Sequence, residues 1–159
     1  MSDARPTDTP LTDALAASMP DETRSAVAAW DAARLEAELE RTPALRGKVS
    51  APVHSVRNLL GAWERFVRLM AAGWPPEGWY SLSAYRELLD ERDLLDTALS
   101  ELPSAAAAAL TPLLEQLDAV YFAHTEPDPE ETLRPWLGAP ASTAPTDRRS
   151  RRPRHAPSW

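Results

Sequence analysis

Between residues 79 and 124, leucine and aromatic side chains return every three or four positions, and one Pro-Ser pair at 103–104 cuts the run in two. That spacing puts one apolar face on each of two helices and predicts an antiparallel pair. Tyr85, Leu88, Leu89, Leu95, Leu99 and Leu102 mark the first face, and Leu110, Leu113, Leu114, Leu117, Val120 and Tyr121 the second. A third stripe, Val56, Leu59, Leu60, Trp63, Phe66, Val67 and Met70, keeps the i, i+3, i+4, i+7 pattern without a miss. Arg57, Asn58, Glu64, Arg65 and Arg68 fall outside it and are read as its solvent side. No alternating, strand-like run extends beyond a few residues. The expected fold class is therefore all-α, a bundle of four or five helices with disordered N- and C-terminal tails.

Punctuation refines this outline. Ser55 is placed to cap the helix over 56–70, and Ser81 or Ser83 the one after it. Arg92 falls on an apolar stripe, with Asp90, Glu91, Asp93 and Asp96 around it. Either the helix is continuous and Arg92 finds a carboxylate partner, or it breaks near Asp90, which caps a second helix; the capping spacing favours the break. Pro112 implies a kink or a restart with Thr111 as cap. Upstream, Asp21 offers an N-cap to an Ala-, Glu- and Arg-rich surface helix over 23–40, anchored by Trp30. Thr12 offers a cap to a short turn. The domain division is a tail over 1–20, a helical domain over 21–137 and a disordered basic tail over 138–159, with Trp136 and Leu137 folding back on the bundle.

Composition excludes several chemistries. With no cysteine there is no disulfide, thiolate nucleophile or Cys-ligated zinc. No apolar run approaches the ~20 residues that span a bilayer, and the N-terminus lacks the basic start and apolar core of a signal peptide. No membrane association and a cytoplasmic address are expected. Sixteen arginines to one lysine, with 16 prolines, is the usage of a GC-rich bacterial genome. The net charge of −7 is uneven: the last 22 residues carry +4, leaving −11 on residues 1–137. An acidic body of this kind suits a cationic partner rather than nucleic acid.

No nucleophile–base arrangement is visible. The three histidines, His54, His124 and His155, lie in a linker, at a helix end and in the tail. No cofactor is expected. Two acid pairs at helical spacing, Glu87-x-x-Asp90 and Glu115-x-x-Asp118, could meet across antiparallel helices. They resemble the paired E-x-x-E and E-x-x-D motifs of the MazG-type all-α nucleotide pyrophosphatases. The resemblance covers these four residues, has Asp90 where that family has Glu, and implies a magnesium-dependent triphosphate hydrolase.

The leading expectation is a non-enzymatic acidic helical protein that binds a protein partner, itself basic, in the manner of an immunity or escort adaptor. Trp74, Trp79 and Tyr80, in a turn rich in aromatics, would anchor the partner, and Asp90, Glu91, Asp93 and Asp96 would steer it. A nucleic-acid role would rest on the tail arginines Arg148, Arg149, Arg151, Arg152 and Arg154.

Overall fold

The computed structural model describes residues 10–73, 81–128, 133–137 and 148–154. Within them six α-helices follow one another: α1 Pro10–Ser18, α2 Asp21–Arg41, α3 Val56–Ala71, α4 Leu82–Glu101, α5 Ser104–Ala123 and a single turn, α6, Arg134–Leu137. A 3-10 turn, Pro43–Leu45, follows α2. A short two-stranded sheet, β1 Thr125–Pro127 and β2 Arg151–Pro153, lies beside the bundle. The all-α class holds, and none of the described helices is long and apolar enough to cross a membrane.

Helix α3 is central, packed against both α4 and α5. Its start is fixed twice: Ser55 Oγ accepts the Asn58 N–H at 3.2 Å, and Asp31 of α2 accepts the Val56 N–H at 2.9 Å. All seven residues of its apolar stripe are buried. Trp63 and Phe66 form a ring cluster with Tyr85 and Tyr121, at centroid distances of 5.2 Å for Trp63–Tyr121 and 6.0 Å for Phe66–Tyr85. Leu89, Leu95, Leu110, Leu114 and Leu117 complete the interior. Each such side chain contributes about 1.5–3 kcal/mol by leaving water.

Helix α4 does not break at Asp90; it runs unbroken from its Ser81 cap to Glu101. Arg92 is buried on it and satisfied by carboxylates on two helices, so no new cap is required. Helix α5 likewise continues through Pro112, while Thr111 Oγ1 donates back to the Ala107 carbonyl at 2.8 Å. Helix α2 begins at Asp21 itself, with Pro20 in the capping position and no side-chain cap. Its Trp30 is half-buried and donates to Glu101 Oε2 at 2.7 Å.

Two segments expected to be tails are built into the fold. Residues 10–18 form α1, which packs on α3 and α5. Its first-turn N–H groups are received by Glu64 of α3: Oε2 accepts the N–H and hydroxyl of Thr12 at 2.9 and 2.6 Å, and Oε1 accepts the Leu11 N–H at 3.1 Å. Glu64, read as solvent-facing, is 0% exposed because α1 covers it. At the other end, residues 148–154 lie within the stretch expected to be disordered. They form a 3-10 turn, Arg148–Ser150, and then β2. Strand β2 pairs antiparallel with β1, Thr125 opposite Pro153 and Glu126 opposite Arg152. Leu137 folds back to full burial, but Trp136 is 66% exposed.

Candidate functional site

Helices α4 and α5 carry four aspartates, Asp90, Asp93, Asp96 and Asp118, and the strap of residues 148–154 closes over them. Asp90, Asp93 and Asp96 recur every three residues on α4, which puts them along one side of the helix. Asp118 faces them from α5. Arg92 ties the two helices. Its Nε and one terminal nitrogen grip Asp118 at 3.0 and 2.7 Å, and the other reaches Asp96, one turn along α4, at 2.6 Å. Trp63 of α3 donates its indole N–H to the same Asp118 at 3.0 Å. A planar guanidinium across two oxygens is the strongest form such a pair takes.

The strap supplies the remaining charge. Arg148, 6% exposed at its side chain, lies 2.9 Å from Asp96, 3.5 Å from Asp93 and 3.4 Å from Asp118. Arg149, 3% exposed, pairs with Asp93 at 2.7 Å and with Asp90 at 2.5 Å, and also donates to the Leu137 carbonyl. Burial acts to lower the pKa of Arg92 and Arg149, but their aspartate partners outweigh it and hold both guanidiniums above the ordinary arginine value. The buried guanidiniums of Arg92, Arg148 and Arg149 bring three positive charges to four carboxylates, and the exposed Arg86, 3.8 Å from Asp90, supplies a fourth.

The strap's backbone is gripped as well. Tyr121 OH donates to the Arg148 carbonyl at 2.8 Å. Tyr85 OH lies 3.0 Å from the Arg151 carbonyl and 2.7 Å from Tyr121 OH. Two hydroxyl protons thus serve three contacts, and one is shared. Burial raises the pKa of both tyrosines, so both remain protonated donors near neutral pH. The Asp128 N–H donates to the Ser150 carbonyl at 2.8 Å and the Arg154 N–H to the His124 carbonyl at 3.1 Å. Arg151 donates to Thr125 Oγ1 at 2.9 Å and stacks its guanidinium over Phe122 at 5.1 Å.

Against this frame the expected sites divide. Asp90, Asp93 and Asp96 do sit together, but they are engaged by the chain's own arginines. Asp93 is buried, whereas the Asp90 side chain is 52% exposed. Glu91 lies in a cleft of about 350 Å³ lined also by Arg34, His54, Glu87, Asp90 and Leu94. There burial raises its pKa against the pull of His54 and Arg65. Trp74, Trp79 and Tyr80 lie outside the described residues.

The four acids of the proposed magnesium site do not converge. Glu87 and Asp90 line the Glu91 cleft, with Asp90 also paired to Arg149, whereas Glu115 is exposed and Asp118 is held by Trp63, Arg92 and Arg148. Among the described residues no group of three or more histidine or acidic side chains is arranged to hold a metal ion. The arginines expected to reach nucleic acid point mostly inward: Arg148 and Arg149 are buried, Arg151 and Arg152 are half-buried, and Arg154 is exposed.

The sequence offered both halves of this site, the acidic run on α4 and the basic run at 148–154, and contact of the tail with the chain's own acidic body was one of three alternatives, beside nucleic acid and another acidic surface. The opposite signs of body and tail were the signal for that alternative. The roles of Asp118, Tyr85 and Tyr121 had no local signal. No family model, curated protein or solved structure matches the chain.

Proposed function

We propose that this chain is a non-enzymatic helical module that binds a basic protein partner, and that the aspartate face of α4 and α5 is where it does so. One observation carries the reading: four aspartates on two helices receive an adjacent pair of arginines, and two tyrosine hydroxyls meet the backbone that carries them. That is a recognition pattern for an arginine-bearing segment, here filled from within the same chain. Charge gives it reach. Residues 1–137 carry −11, so a cationic partner is drawn in at long range, and the paired arginines then fix register at short range. Within the bacterial cytoplasm, neutralising or escorting such a partner is the role this chemistry suits.

An NMR titration of the full-length, isotope-labelled protein with a peptide of sequence RRSRRPR tests the site. Saturable shifts concentrated at Asp90, Asp93, Asp96 and Asp118 are expected. Replacing each arginine of the peptide by lysine should weaken binding about tenfold, since an ammonium does not bridge two carboxylates as a guanidinium does. Unsaturable shifts scattered over exposed acids such as Glu36 and Glu40 would remove the proposal.

A further inference from the structure

Resting on that reading, we infer that the strap is a displaceable plug: residues 148–154 hold the aspartate face closed, and a partner segment with two adjacent arginines binds by taking their place. Among the described residues, the contacts the strap makes are ones that a separate peptide could reproduce. Two guanidiniums enter the aspartates, two carbonyls meet tyrosine hydroxyls, and one short strand adds to the edge of β1. Strand addition with side-chain pockets is a common mode of peptide capture.

The strap also fits its seat imperfectly. Arg148 Nε and Arg152 Nε are buried without a hydrogen-bond partner. The sheet it forms is three residues long on each side, and so short a pair has little stability of its own. Simple opening is nonetheless unfavourable, because it would leave the buried Asp93 without the strap arginines that pair with it, and Asp96 and Asp118 with Arg92 but without Arg148. Removing one partner of a buried ion pair is strongly destabilising. The face is therefore relieved by exchange, and whatever enters must bring the charge that leaves. Adjacent arginines meet that condition. Lysines, which span fewer acceptors, do so less well.

The absence of cysteine makes a clean test available. Glu126 and Arg152 are opposed across the two strands, and directly opposed residues of an antiparallel pair lie within disulfide reach. In the full-length double variant Glu126→Cys, Arg152→Cys, oxidation should lock the strap and reduction should free it. Circular dichroism and non-reducing electrophoresis establish that both forms are folded and that the bond is within one chain. Fluorescein-labelled RRSRRPR is then titrated into each form. The expected result is binding at least tenfold weaker to the oxidised form, restored by reductant. Equal affinity for the two forms, with shifts still on α4 and α5, overturns the plug and leaves the aspartate face standing as a binding site. No binding to either form overturns both. A bond that links two copies instead of closing within one makes a second copy's strap the occupant and also overturns the plug.

Discussion

Glu64 shows how one side chain can hold a whole segment. It is the lone acid on the buried side of α3, and it closes the start of α1 from 52 residues away in sequence. Burial works to raise its pKa, but the Thr12 hydroxyl, the Thr12 and Leu11 N–H groups and Arg68 hold it below the ordinary carboxylate value. A carboxyl with a depressed folded-state pKa contributes stability that is present above its unfolded value, near 4.3, and lost as pH falls through the folded value. Glu64→Gln leaves an amide N–H₂ facing donors, and should cost about 2 kcal/mol at pH 7. Urea unfolding at pH 7 and pH 3 checks this: the gap between variant and parent should shrink at the lower pH.

At the scale of elements, α5 contains its own weak point. Pro112 sits mid-helix, where it lacks the N–H that would meet Ala108 and its ring crowds the preceding turn. It is exposed, so nothing in the core depends on it. Pro112→Ala should raise stability by about 1–2 kcal/mol, less than the full propensity difference because the chain has already adapted and proline restrains the unfolded state. A higher urea midpoint with unchanged slope would register it. The stripes on α3, α4 and α5 were legible in the sequence because burial of one face imposes a period on neighbouring residues. The continuity of α4 was not. Its decisive partner for Arg92 is Asp118, on another helix, and rules of local capping do not see it. Glu64 escaped for the same reason, since only α1 makes that side of α3 an inside. The strap has the composition of a disordered tail, and its order is owed to charges that lie 30 to 59 residues away. In the candidate site, Asp90, Asp93 and Asp96 could be picked out in the sequence, and so could a tail of opposite sign, but not which arginine meets which aspartate.

For the whole molecule, these attachments imply that stability is graded rather than uniform. The centre, α3 to α5, is held by a continuous apolar interior. The strap is held by ion pairs, two tyrosine contacts and a few main-chain bonds. Native proteins open in such units, each with its own free energy. Amides that depend on the strap are the Asp128 N–H, given to Ser150, and the Arg154 N–H, given to His124. In native-state hydrogen exchange they should exchange at least about 100-fold faster than the amides of Leu110 and Leu117, a gap of roughly 2.7 kcal/mol in opening free energy. Added RRSRRPR should leave the Arg154 N–H unprotected, because exchange frees the chain's own strap, while the Asp128 N–H stays protected by the peptide's serine carbonyl. The peptide should also slow exchange on the facing turns of α4. If the strap amides exchanged only with the core, release would demand global unfolding, and the aspartate face would be a structural lock instead of a docking site.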